Sequence, residues 1–252
     1  MPTYSLTYCQ SAQGFVCYDA LLTGVELCQV LRREPQKAKT VTFEKENPII
    51  AIADGLSTTP KCFKASRYWI EWLKDDCTYL TDQWIRQVFE YYCSYFPKPW
   101  GTTTTLVSAQ LFEKGKVRIL NIGDSRAYKI TELGEFIQLS YDHTILNELL
   151  TAYPEVDPNI VCEEIKYMLS DCLVADRAAR NFTIFNQEYQ LKPNETLLLC
   201  SDGLTAFLKS EQLSEIWQSY STNEQRLQAY QDKLTQPEIK EDLSIVVWTY
   251  QG

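Results

Sequence analysis

Basic residues are in short supply in this 252-residue chain: 24 Lys and Arg stand against 33 Asp and Glu, a formal net charge of −9. No basic patch stands out that could neutralise phosphates along a backbone, so a nucleic-acid partner is not expected. Long apolar runs are also missing. No stretch approaches the roughly eighteen uninterrupted apolar residues that a membrane-crossing helix needs. The N-terminus from Met1 to Tyr8 has no basic start followed by an apolar core, so no secretory leader is expected. The nine cysteines include no Cys-x-x-Cys pair. Scattered thiols fit a reducing cytoplasm and a role as small buried hydrophobes.

Other absences exclude whole chemistries. A cysteine phosphatase needs an arginine six positions after its nucleophile. Cys62 and Cys172 are followed by Arg67 and Arg177, one position too early, and Cys28 has Glu34 at that distance. There is no Gly-x-Ser-x-Gly and no nucleotide P-loop. His143 is the only histidine. It follows Asp142 and precedes Thr144 at the start of a helical pattern, where it reads as a packed corner residue rather than a general acid.

What the chain does have is apolar runs that end abruptly in an acid. Leu197-Leu198-Leu199-Cys200-Ser201-Asp202-Gly203 is one, Ile49-Ile50-Ala51-Ile52-Ala53-Asp54-Gly55 another, and Ile119-Leu120-Asn121-Ile122-Gly123-Asp124 a weaker third. Asp242 closely precedes the run Ile245-Val246-Val247-Trp248. Each run reads as a buried strand, and the glycine as a residue that allows a sharp turn. Strand ends hold side chains on a stiff support. Carboxylates that converge there repel unless a cation lies between them, and oxygen-only donors suit hard ions such as Mg²⁺ or Mn²⁺.

The order of these motifs resembles the metal-dependent protein phosphatases of the 2C type. The resemblance rests on Asp54-Gly55, Gly101-Thr102-Thr103, Gly123-Asp124-Ser125-Arg126, Asp142-His143-Thr144, Ser201-Asp202-Gly203-Leu204 and Asp242, and spans nearly the whole chain. It implies one domain over residues 1–252. It also implies an α+β fold, a four-layer α-β-β-α sandwich of two antiparallel sheets flanked by helices. The hairpin-sized gaps between predicted strands agree with antiparallel pairing. The implied activity is hydrolysis of phosphoserine and phosphothreonine by a water activated between metal ions, with Mg²⁺ or Mn²⁺ as cofactor in two or three sites. Asp54 would bridge two ions with help from the Gly55 carbonyl, and Asp202 and Asp242 would complete the first. Asp19 would act on the second through bound waters, and Asp124 with Asp202 would hold a third. The implied partner is a phosphoprotein substrate, on which the chain would oppose a serine/threonine kinase; a monomer in the cytoplasm, without membrane contact, is expected.

Several positions depart from the family pattern. Gly14 stands where a phosphate-binding arginine is common, leaving Arg32, Arg33 and Lys37 as substitutes. Cys17 and Tyr18 replace Asn and Glu before Asp19, Thr59 replaces a general-acid histidine, and Leu243 replaces the Asn after Asp242. These losses support a rival reading, a phosphatase-fold regulator that binds a phosphoprotein without turnover.

Around these motifs the pattern predicts a pair of short strands around Gly14 and Gly24, between Ser5 and Glu26, and a loop or hairpin over Arg32–Asn47. An aromatic-striped helix follows around Ala65-Ser66, Trp69, Trp72 and Leu73. A second, around Trp84–Tyr92, ends at Pro97-Lys98-Pro99. Thr151–Arg180 reads as helical but irregular, with Pro154 and Pro158, and the resemblance implies a variable flap there that shapes substrate choice; Glu211–Tyr220 and Gln225–Leu234 read as amphipathic helices.

Overall fold

The computed structural model describes residues 1–32, 34–59, 61–96, 101–235 and 241–252, with backbone alone at 163 and 164. Its strands are β1 Thr3–Ser11, β2 Ala20–Thr23, β3 Leu27–Cys28, β4 Gln36–Glu44, β5 Ile49–Ala53, β6 Thr103–Thr104 and β7 Leu106–Leu111. They continue with β8 Lys116–Ile122, β9 Arg126–Ile130, β10 Phe136–Gln138, β11 Leu173–Val174, β12 Phe185–Gln190, β13 Thr196–Cys200 and β14 Leu243–Thr249. The helices are α1 Cys62–Asp75, α2 Asp82–Tyr95, α3 Ile145–Ala152, α4 Glu163–Lys166, α5 Asp202–Thr205, α6 Ser210–Ser219 and α7 Asn223–Leu234.

Two six-stranded antiparallel sheets form, in the orders β10-β9-β13-β14-β1-β4 and β12-β8-β7-β5-β2-β3. Their central strands are apolar on both faces because both faces are covered. Along β5, Ile50 and Ile52 enter the layer between the sheets, while Ile49, Ala51 and Ala53 face α1 and α2. Along β14, Val246 and Trp248 face the other sheet, while Ile245 and Val247 meet Leu213, Trp217, Leu227 and Tyr230 of α6 and α7. Three apolar cores thus separate four layers, the expected α-β-β-α sandwich. No helix among the described residues is long and apolar enough to cross a membrane.

The local signals agree. Trp69 and Leu73 of α1 and Ile85, Val88, Phe89 and Tyr92 of α2 are buried at helical spacing. The Thr81 hydroxyl caps α2 by accepting from the Trp84 amide at 3.1 Å. The helix stop expected at Pro97-Lys98-Pro99 lies outside the described residues.

Two expectations fail. Arg32–Asn47 is not mainly loop: Gln36–Glu44 is an edge strand paired with β1. Its polar alternation hides it, since Val41 and Phe43 pack on one face, Ala38 alone meets the core under α7 on the other, and the remaining side chains are polar. The strands near Gly14 and Gly24 do not form a pair either, because β1 and β2 belong to different sheets.

Candidate active site

Antiparallel pairing gathers the acids at one end of the sandwich. Asp54, Asp124 and Asp202 follow the C-terminal ends of β5, β8 and β13, and Asp19 and Asp242 precede β2 and β14. Ala20 pairs with Ala53, and Cys200 with Ile245, so the starts of β2 and β14 lie beside the ends of β5 and β13. Leu106 pairs with Ile122, which brings Thr103–Thr105 to the same end.

Backbone contacts fix each acid. The Asp54 carbonyl accepts from the Thr105 amide and from the Thr104 hydroxyl, both at 2.8 Å. Asp242 accepts the Gln13 amide at 2.7 Å on Oδ1 and the Tyr18 amide at 2.5 Å on Oδ2, which ties the loop before Asp19 to the start of β14. Gln10, fully buried, joins the two sheets: its Nε2 donates to the Asp19 carbonyl at 3.3 Å and to Ser244 Oγ at 2.9 Å. The Ser201 hydroxyl accepts the Ser244 amide at 3.0 Å. Ser66 Oγ donates to the Tyr18 carbonyl, which also accepts the Gly55 amide at 3.2 Å.

Gly55 and Gly203 do not turn the chain through a left-handed conformation, as a sharp Asp-Gly turn would suggest; neither has a positive φ. They permit close backbone approach. A Cβ on Gly203 would fall 1.9 Å from the Asp242 carbonyl oxygen, and one on Gly55 would fall 2.5 Å from that of Cys62. These contacts hold the Asp202 and Asp242 turns together and seat α1 behind Asp54.

The carboxylates press on one another. Burial raises Asp54 well above the ordinary carboxylate range, with further push from Asp19, Asp202 and Asp124. Burial and then Asp242 raise Asp19 to about 7, and burial and then Asp202 raise Asp124 to about 7. Asp202 is raised by burial, although contact with the Asp54 carboxyl works the other way. Asp242 is raised by burial and partly relieved by its amide donors. One oxygen of Asp19, Oδ2, is buried without a hydrogen-bond partner among the described residues. Stacked oxygen donors with an orphaned buried oxygen fit hard divalent cations.

Other residues from the motifs are accounted for. Arg126 is spent on Asp142, with Nε and Nη2 at 2.8 and 2.6 Å from Oδ2. His143 is a corner: its Nδ1 accepts the Gly123 amide at 3.2 Å, its own amide donates to the Gly123 carbonyl at 3.0 Å, and burial lowers its basicity. Thr59 locks a loop by donating to the Leu56 carbonyl at 2.9 Å and accepting the Thr103 amide at 3.3 Å. The Arg32 amide donates to the Phe15 carbonyl at 3.2 Å, beside Gly14, with an exposed side chain. Lys37 is exposed on β4, and Arg33 lies outside the described residues. The 151–180 segment is anchored at the site, since β11 pairs with β6 and the Ala175 amide donates to the Thr102 carbonyl at 2.9 Å. A cavity of about 670 Å³ lies elsewhere, lined by residues including Tyr4, Trp248 and Tyr250 and by none of the five aspartates.

Sequence reasoning missed the parts played by Gln10 in β1, Ser244 in β14 and Ser201 just after β13, which hold the acids in place. The signal was polar residues in or beside buried strands, which must find buried partners.

The raised carboxyls predict a pH effect. A folded Asp19 near 7, against an ordinary 3.8, keeps its proton where the unfolded chain has lost it. That contribution to stability is fully present below about pH 4 and is lost as pH rises through about 7. In chelator, the wild-type melting temperature should lose ground to that of Asp19→Asn as pH rises from 4 to 7. Mn²⁺ at pH 7 should restore the wild type. A difference between the two proteins that stays constant with pH would rule out Asp19 as the group responsible.

No family model matches the chain. It is 28% identical over 194 residues to the serine/threonine phosphatase stp of Listeria monocytogenes, covering 71% of this chain and 75% of that protein. The structure superposes on serine/threonine phosphatase Stp1 from Staphylococcus aureus with a TM-score of 0.75 at 19% identity, covering 100% of this chain and 96% of the other. It also matches the catalytic domain of the serine/threonine protein phosphatase PstP in complex with two manganese ions, with a TM-score of 0.70 at 17% identity and full coverage of both chains.

Proposed function

We propose that this chain, of the metal-dependent 2C phosphatase type in motif order and fold, hydrolyses phosphoserine and phosphothreonine in protein substrates. The observation that carries this reading is the set of five buried or half-buried aspartates at one end of the sandwich, two of them raised to about 7. A regulator that only binds would have no use for so costly an arrangement.

Asp54 would lie between two cations, with the Gly55 carbonyl beside it. Asp202 and Asp242 would complete one position, Asp19 would steady the other through its hydration shell, and Asp124 with Asp202 would hold a third. When bound, such ions supply Lewis acidity toward phosphoryl oxygens and lower the pKa of an attacking water. The protein's part is to hold this constellation rigid, through the Thr104, Thr105, Gln10 and Ser201 contacts. The exposed Arg32 would meet the substrate phosphate from the loop beside Gly14. The 151–180 segment, with Tyr153, Ile160, Tyr167 and Met168 exposed, would meet the flanking peptide. Residues 1–252 would act as one domain, a monomer in the cytoplasm opposing a serine/threonine kinase.

Purified protein stripped with chelator should be inactive toward p-nitrophenyl phosphate and phosphopeptides, and Mn²⁺ should restore turnover of both. Folded, Mn²⁺-saturated protein that turns over neither would establish the non-catalytic regulator instead.

A further inference from the structure

Cys17 is wholly buried, yet it does not sit among apolar neighbours alone. Its Sγ and one carboxylate oxygen each from Asp19 and Asp242 all lie within 4.8 Å of one another, the one such group of potential ligands among the described residues. Neighbouring donors of a tetrahedral ion, at bond lengths of about 2.0–2.3 Å, are some 3.3–3.8 Å apart. The three atoms would therefore have to close by at most about 1.5 Å to share one coordination sphere.

An independent observation points to a ligand here. Asp19 is 1% exposed, and its Oδ2 has no hydrogen-bond partner among the described residues. A buried carboxylate oxygen left bare is expensive, and a cation would satisfy it. The Cys17 thiol makes a long contact of 3.7 Å to the Ser11 carbonyl and also lies against the Asp19 backbone and the Asp242 carboxylate, so its sulfur faces the acids rather than the apolar core. By contrast, Cys9, also fully buried, sits in an apolar cluster with its thiol on the Leu227 carbonyl and belongs to no such group of ligands among the described residues.

We propose that Cys17 is a metal ligand in this chain. The ion nearest Asp19 and Asp242 then has a mixed sulfur–oxygen donor set, and borderline-soft Zn²⁺ or Co²⁺ is favoured there over Mg²⁺ or Mn²⁺. The inference rests on the reading of the aspartates as a cation site. Thiolate ligands shift selectivity in this direction, whereas carboxylate and water do not. As the sulfur–metal bond forms, the thiol proton passes to solvent, and nothing is oxidised or reduced.

The test is spectroscopic and uses the full chain. Chelator-stripped wild type, Cys17→Ser, Cys17→Ala and Cys9→Ser are loaded with Co²⁺. Bound metal is counted by elemental analysis, and circular dichroism checks the fold. Wild type and Cys9→Ser should show sulfur-to-cobalt charge-transfer absorption in the near ultraviolet, and both Cys17 variants should lack it. Zn²⁺ affinity should fall at least about tenfold in Cys17→Ser, and Mn²⁺ affinity by less. The proposal is overturned if wild type binds Co²⁺ without the band, if the band survives in both Cys17 variants, or if wild type binds no Co²⁺. Failure of Mn²⁺-dependent p-nitrophenyl phosphate hydrolysis would instead overturn the proposed phosphatase activity, and it leaves the spectrum readable.

Discussion

Asp54→Asn should leave the chain folded, remove tight Mn²⁺ binding and reduce turnover by about a thousandfold or more. The fold should survive because the turn is held by the Asp54 backbone, not its carboxylate. The Asp54 carbonyl still accepts from Thr105 and Thr104, and the Gly55 amide still reaches the Tyr18 carbonyl. The charge, however, is central. Asp54 is the carboxylate on which Asp19, Asp202 and Asp124 all press. Asparagine keeps the shape but gives a cation a neutral oxygen where it had an anionic one. The Lewis acidity of bound ions is worth several kcal/mol of transition-state stabilisation, and each 1.4 kcal/mol is about a tenfold change in rate. The same substitution relieves repulsion in the metal-free protein, so its melting temperature in chelator should rise. Calorimetry with Mn²⁺ decides the point: unchanged affinity and stoichiometry in Asp54→Asn would refute the bridging role.

Much of this site can be read from the chain because its supports are continuous apolar runs. Ile49–Ala53 is a strand with the bounds expected, and the run Leu197–Cys200 falls wholly within β13, since strands buried on both faces read as continuous apolar runs. The acids at their ends stand out against that background. Other features are invisible for physical reasons. Gln36–Glu44 is a sheet edge, half solvated, and its lysines and threonines look like loop. Nothing in the residues between Ser11 and Ala20 tells that the chain crosses there from one sheet to the other, because that choice is made by the packing of the two sheets. Gly55 and Gly203 advertise a turn, but what they provide is room for Cys62 and for Asp242. Those neighbours are respectively seven and thirty-nine positions away in the numbering, and only the fold brings them close.

The second large effect concerns the leaving group. Expelling a serine alkoxide is difficult without a proton donor, whereas nitrophenolate leaves readily without one. A positioned general acid is typically worth about 10² to 10⁴ in rate. Thr59 stands where the resemblance to 2C-type phosphatases implies a general-acid histidine, and a threonine hydroxyl does not give up its proton near neutral pH; here it is committed to Leu56 and Thr103. His143 is 2% exposed and bound to Gly123 through Nδ1, with its basicity lowered by burial, so it holds the Asp124 turn and does not reach solvent. The protein should therefore favour aryl phosphates over phosphopeptides more strongly than a relative that carries the histidine. His143→Ala should lower the melting temperature and leave the aryl-to-peptide ratio of kcat/KM unchanged. Thr59→His gives up two hydrogen bonds of about 1 kcal/mol each, a loss of several degrees in melting temperature. Among the molecules that remain folded, it should raise phosphopeptide turnover more than nitrophenyl phosphate turnover. If Thr59→His instead changes both substrates alike, while His143→Ala selectively depresses phosphopeptide turnover, the proton comes from His143. The Gly123 corner would then have to open during the reaction.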